Sequence, residues 1–244
     1  MRVSGVIAAV ALGLSSWWGA AAVAQGTPAS PTLDAVKTAF EARFDGVEVA
    51  AVRRAPLDGL YEIQVDMDLV YVDANVNYVL QGALIDAKTR TDLTAARIQK
   101  LSEVPFDSLP IELAVKTVKG NGSRKLAVFE DPNCIYCKQL HANLKDIDNV
   151  TVYSFLYPIL SPDSATKARN VWCASDPAAV WAGWMLDGKE PAEARCDDDP
   201  VEQVLALGRQ LTVRGTPAIL FADGSRVSGA LPTDQLRLKL DSLD

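Results

Sequence analysis

Apolar residues follow three successive rhythms along this chain. Behind Met1 and Arg2, Val6 through Leu14 form a stretch broken only by Gly13, and small residues then lead to Ala22-Val23-Ala24 before Gln25. One positive charge, a short apolar stretch and an A-x-A end are the parts of a cleavable secretory signal over residues 1–24. A membrane anchor needs about 20 consecutive apolar residues, and Ser15, Ser16 and Gly19 interrupt this one. The mature chain is therefore expected to start at Gln25 with no membrane insertion. After a polar leader, Leu33, Val36, Phe40 and Phe44 recur at helical spacing. From Val47 the period drops to two. Tyr61, Ile63 and Val65 alternate, then Leu69 and Tyr71, then Tyr78 and Leu80, with turns at Pro56, Asp58-Gly59 and Asp73-Ala74-Asn75. This predicts one helix and a half-exposed antiparallel sheet over residues 25–92. Such a sheet is a scaffold, or its free edge pairs with a second copy or holds a peptide.

Leu93, Ile98, Leu101, Leu109, Leu113 and Val118 return to a largely helical spacing, broken at Pro105 and Pro110. Residues 93–119 are read as a helical linker. Gly120-Asn121-Gly122 marks a boundary, and the continuous apolar run Leu126-Ala127-Val128-Phe129 suits a buried strand. The second domain, residues 120–244, carries further helical patterns at about 160–210, one opening at Asp176-Pro177 with Asp as N-cap and Pro at the first helical position. Trp181, Trp184 and Met185 in that helix are expected to be core, the sharper option being an aromatic surface for unfolded clients.

Composition narrows the chemistry. With 244 residues and 49% hydrophobic content there is material for two cores, and 24 Lys plus Arg against 31 Asp plus Glu give a net charge of −7. That balance argues against nucleic-acid binding, which needs a cationic surface. The chain has four cysteines and one histidine, His141, so sulfur is the first suspect. Cys134-Ile135-Tyr136-Cys137 follows the buried strand and opens a helix whose apolar face holds Cys137, Leu140, Leu144 and Ile147. The unpaired N–H groups and positive dipole end of a helix stabilise a thiolate. Cys134, at the tip, is expected to be exposed and to attack, with Cys137 one turn in to resolve the mixed disulfide. A c-type haem site fails because Lys138, not His, follows the second cysteine. Zinc would want a second C-x-x-C or paired histidines. A structural Cys134–Cys137 disulfide would close too small a loop to stabilise much.

A second element is Gly215-Thr216-Pro217 at the entry to the apolar run Ala218-Ile219-Leu220-Phe221. Proline at the start of a buried strand cannot donate to the ladder, and a cis Thr216–Pro217 bond would resolve that. Together with Tyr71-Val-Asp-Ala-Asn-Val-Asn-Tyr-Val-Leu-Gln-Gly82, Val171-Trp172-Cys173 and Leu207-Gly208, these motifs make the mature chain resemble the DsbC/DsbG family of bacterial periplasmic disulfide isomerases, nearer its DsbC branch. The resemblance implies an α+β protein: a cystatin-like N-terminal dimerisation domain, a helical linker, and a thioredoxin-fold domain with a helical insertion. It implies a periplasmic homodimer that isomerises non-native disulfides in misfolded exported proteins and is kept reduced by a DsbD-like membrane reductant, with no cofactor and no metal. Carried over, Cys134 and Cys137 are the redox pair, Thr216 and Pro217 the loop that binds substrate, and Cys173–Cys196 a structural disulfide. The alternatives are a DsbG-like reductase of sulfenylated single cysteines, or a holdase chaperone.

Four residues or groups are given minor roles. Many thioredoxins place a buried acid at the position that here is Val128. Glu130 and Asp131 lie nearby, but Pro132 suggests an exposed turn, so neither is assigned a proton-shuttle role. His141 is expected to be a solvated helix residue, the lesser alternative being modulation of the Cys134 thiolate. Asp197-Asp198-Asp199 is expected to be an exposed loop capping the helix from Pro200, the alternative being a cation held by the three acids.

Overall fold

The structure is a computed structural model and describes residues 31–243, so the expected signal segment lies outside the described residues. Helix α1 (Leu33–Glu41) starts at Thr32, whose hydroxyl accepts from the Ala35 amide, and it buries Val36 and Phe40. Beneath it lies an antiparallel sheet of β1 (Ala51–Arg54), β2 (Leu60–Val65), β3 (Asp68–Asp73) and β4 (Val79–Leu80), in that spatial order. The period of two is visible in β2, where Tyr61 and Ile63 are buried and Glu62 and Gln64 are half-exposed. Val36, Phe40, Val49, Tyr61, Ile63, Val72 and Val76 make the core. Asp73 shapes the turn that follows, its carboxylate accepting from the amides of Asn75 and Tyr78 and from the Asn77 side chain. At the free edge, Tyr78, Val79 and Leu80 stand exposed.

A short hairpin, β5 (Ile85–Asp86) and β6 (Thr91–Asp92), leads into α2 (Leu93–Leu101), capped by Asp92. The helical linker expected over residues 93–119 is helical in earnest only along α2. Single 3-10 turns follow at Phe106–Ser108 and Ile111–Leu113, each after a proline. Val115–Lys119 is a strand, β7, not the end of a helix. The physical reason is the sheet on offer: β7 pairs along its whole length with β9 (Val150–Leu156), burying Val115 and leaving Val118 outside.

The second sheet runs β11-β10-β8-β9-β7, with β8 (Arg124–Glu130) and β9 parallel and its other neighbours antiparallel. Strands β10 (Ala218–Phe221) and β11 (Arg226–Ser228) complete it. Every residue of β9 is buried, as a strand covered on both faces requires. On one face Leu126 and Val128 pack against α3 (Ile135–Leu144) and α7 (Thr233–Asp241). On the other, Ala127 and Phe129 meet α6 (Val201–Gln210) and the linker turns. The insertion supplies α4 (Pro162–Trp172) and α5 (Pro177–Asp187), which build a third apolar cluster around Cys134 and Cys137. Asp176 caps α5, and Trp181 and Met185 are buried in that cluster. Asp199 accepts from the Val201 amide at the start of α6. Gly208 is required by packing, because a Cβ there would meet the Tyr157 ring at 2.3 Å. Among the described residues no helix is long and apolar enough to cross a membrane.

Candidate active site

The turn between β8 and α3 is built by Asp131. One carboxylate oxygen accepts from the Asn133 amide and the Ser164 hydroxyl, both at 2.8 Å, and the other accepts from the Leu160 amide at 2.9 Å. These bonds fix the turn to the start of α4. They also bury Asp131 completely, which corrects the expectation of an exposed turn at Glu130-Asp131. The Cys134 amide bonds the Asp131 carbonyl, leaving Cys134 as N-cap of α3.

Cys134 is nearly buried, at 6% exposure, where an exposed tip was expected. The cover is the Thr216–Pro217 loop: the Cys134 thiol donates to the Thr216 carbonyl at 3.3 Å. The dipeptide between the cysteines is what solvent sees, with Ile135 74% and Tyr136 61% exposed. Cys137 is fully buried one turn in, and both cysteines are free thiols. Burial pushes the Cys137 thiol far above its ordinary range, the Glu130 carboxylate and Cys134 add to this, and the Asp131 backbone N–H works against it. At neutral pH Cys137 therefore holds its proton. The Thr216–Pro217 peptide is cis, and the Thr216 hydroxyl oxygen is buried with no partner among the described residues.

Cys173 and Cys196 are brought together in the other half of the domain. They form a disulfide with Cα atoms 5.4 Å apart, tying the C-terminal end of α4 to the segment before α6. Asn133 and Ser164 meet at the N-terminal end of the same helix, so the joined pair sits at the opposite end from the turn that carries the free pair. Among the described residues no cluster of three His, Cys, Asp or Glu side chains is placed to hold a metal ion.

Two side chains make contacts that their sequence positions did not announce. His141 is mostly buried: its Nε2 lies 2.8 Å from Oε2 of a fully buried Glu130, and its ring meets Trp181 edge-on at 5.7 Å. The available signal was spacing, since His141 is four residues after Cys137 and shares its side of α3. Trp184 is the second. Its indole N–H donates to the Pro132 carbonyl at 2.7 Å, and the Lys138 ammonium lies over its ring at 3.8 Å.

Comparisons with known proteins follow the same division of the chain. Residues 24–95 match the disulfide bond isomerase protein N-terminal domain, and residues 111–243 match a thioredoxin-like domain. A probable thiol:disulfide interchange protein DsbC of Bordetella parapertussis is 64% identical over 210 residues, covering 86% of this chain and 75% of the relative. The thiol:disulfide interchange protein DsbC of Escherichia coli K12 is 27% identical over 200 residues, covering 80% of this chain and 83% of that one. A crystal structure of a disulfide interchange protein from Neisseria gonorrhoeae is 41% identical, superposes with a TM-score of 0.53, and covers 55% of this chain and 97% of its own.

Proposed function

The chain belongs to the DsbC family of thiol:disulfide interchange proteins, and from that membership we propose that it isomerises non-native disulfides in exported proteins through Cys134 and Cys137. The observation that carries the reading is the placing of the Cys134 sulfur at the N-terminus of α3, 3.3 Å from the Thr216 carbonyl, with a protonated Cys137 behind it. The Cys134 thiolate attacks one sulfur of a client disulfide, and the other client sulfur leaves as thiolate. A client thiol then attacks the mixed disulfide and completes the rearrangement, or Cys137 attacks Cys134 and releases a reduced client. Because Cys137 keeps its proton, the mixed disulfide survives long enough for a client thiol to compete, which is what isomerisation requires. The Thr216 hydroxyl, which has no partner among the described residues, and the Thr216 carbonyl, once Cys134 releases it, offer hydrogen bonds to a client backbone.

Exposed Ile135, Tyr136, Ile159 and Leu160 form an apolar rim around the site, suited to segments that folding would bury. The same rim favours a holdase activity as a second reading. In the N-terminal sheet, exposed Tyr78, Val79 and Leu80 on the β4 edge support a homodimer. The proposed setting is the periplasm, with a DsbD-like membrane reductant returning Cys134 and Cys137 to thiols. The test is refolding of a substrate with scrambled disulfides. Cys134→Ser should abolish recovery, and a variant that keeps full activity sinks the isomerase reading. Suppression of aggregation that survives this change and Cys137→Ser together would establish the holdase reading.

A further inference from the structure

Glu130, the last residue of β8, is fully buried, and its two carboxylate oxygens have different surroundings. Oε2 lies 2.8 Å from Nε2 of His141. Oε1 has no hydrogen-bond partner among the described residues. A buried carboxylate oxygen without a donor is costly to keep. Here it stands within electrostatic reach of Cys137, the thiol that must lose its proton before it can resolve a mixed disulfide. The bond to His141, one turn after Cys137 on α3, fixes this carboxylate against the helix that carries the thiol. The carboxylate that opposes the Cys137 thiolate is relieved of that opposition by taking the thiol's proton.

His141 continues the path. It lines a cavity of about 240 Å³ with Lys119, Leu144, Lys145, Val152 and Ser154. The space is large enough for several waters, Ser154 Oγ has no partner among the described residues, and Lys145 is exposed. Cys134, Ile135, Tyr136 and Thr216 are not among its walls, so this opening is separate from the face a client meets. The charged and titratable groups around the path are few. Cys134 adjoins Cys137 on α3, Asp131 offers Cys137 only its backbone N–H, and Lys119 and Lys145 flank the cavity. From α5 the neighbours are Trp181 and Leu186, which carry no charge, and β9 contributes Ser154.

We propose that Glu130, held by His141, accepts the proton of Cys137 during resolution and returns it through His141 to water in the cavity. The inference rests on the reading of Cys134 and Cys137 given above and adds a proton carrier to it. The Cys137 S–H bond breaks and its proton goes to Glu130. The sulfur's electron pair forms the Cys134–Cys137 bond, and the Cys134–client S–S bond breaks with its pair leaving on the client sulfur. Cys134–S–S–client, Cys137–SH and the Glu130 carboxylate thus become Cys134–S–S–Cys137, client thiolate and protonated Glu130. The client is reduced and the enzyme oxidised.

The experiment uses the full-length protein with glutathione placed on Cys134 as a mixed disulfide, and follows glutathione release from about pH 6 to pH 9. Glu130→Gln keeps the shape and a partner for His141 but cannot take a proton. It should slow release about 100-fold near neutral pH, a typical general-base contribution, and the gap should close as pH rises and hydroxide replaces the carboxylate. His141→Gln should slow release less and in the same pH-dependent way, and Glu130→Asp should recover part of the rate. Formation of the mixed disulfide at Cys134 should be unchanged in all three. Release at the native rate in both Glu130→Gln and His141→Gln overturns the proposal, as does slowing by the same factor at every pH, which would mark a packing role. Failure of the native protein to form the adduct at Cys134 overturns the reading of Cys134, and this proposal with it.

Discussion

Cys134 and Cys137 lie at the start of α3 as free thiols under a proline loop, while Cys173 and Cys196 clamp the far end of α4 as a disulfide. The residue types are the same and the surroundings differ in kind. The free pair has a helix N-terminus beside one sulfur, a buried carboxylate near the other, and exposed apolar neighbours in Ile135 and Tyr136. The joined pair has none of these and spans 23 residues of sequence, so closing it removes chain entropy from the unfolded state. Reactivity here is a property of position on the scaffold. The sharpest way to break this comparison is to exchange the fates of the pairs. Replacing Cys134 by Ser should remove isomerase activity altogether, while replacing Cys173 and Cys196 together by Ala should leave the activity per folded molecule near native. Refolding assays normalised to the folded fraction check both, and loss of activity in the second variant at full folding would erase the distinction.

Next in size is the stability of the brace. Loop entropy for a bridge of this span is worth about 3 kcal/mol, so the Cys173→Ala, Cys196→Ala double variant should lose roughly that much in urea unfolding monitored under oxidising conditions. Asp131→Asn should cost less, about 2 kcal/mol for hydrogen bonds to a buried charged acceptor. Asp131 accepts from Asn133, Leu160 and Ser164, which couples the turn carrying the free pair to the helix that ends in the joined pair. Its replacement should therefore also raise solvent access to Cys134, read as faster alkylation.

Much of this arrangement was legible in the residues because it is local. The period of two found β2 and β3, the cap Asp176 marked its helix, and a strand, a turn and C-x-x-C placed Cys134 and Cys137 at a helix start. What escaped depends on partners distant in sequence. Cys134 is covered by a carbonyl 82 residues away, and Asp131 is buried because α4 brings a hydroxyl from 33 residues away. Pro132 announced a turn correctly but could not announce that the turn would be roofed. His141 reads as solvated until the insertion sets Trp181 against it. Residues 115–119 were ambiguous for a different reason. Val115 and Val118 are spaced as on a helix, and only pairing with β9 decides for a strand.

The smallest expected effect separates the two pairs by pH. The Cys173–Cys196 sulfurs do not titrate, whereas the Cys137 thiol is pushed far above its ordinary value by burial and then by the Glu130 charge. A group whose folded value is raised contributes stability that is fully present below its unfolded value and is lost as pH climbs from there toward the folded one. For Cys137 the window opens near the ordinary thiol value of 9.0 and runs upward. Comparing Cys134→Ser with the Cys134→Ser, Cys137→Ser double variant isolates this titration, since neither can form the active-site disulfide and serine does not ionise. Their difference in unfolding free energy should be flat through neutral pH. Above pH 9 it should fall by up to about 1.4 kcal/mol per pH unit, the limit for one proton. A difference that stays flat in alkali would mean that Cys137 ionises as easily folded as unfolded. It would also remove the reason for a mixed disulfide on Cys134 to wait for a client thiol.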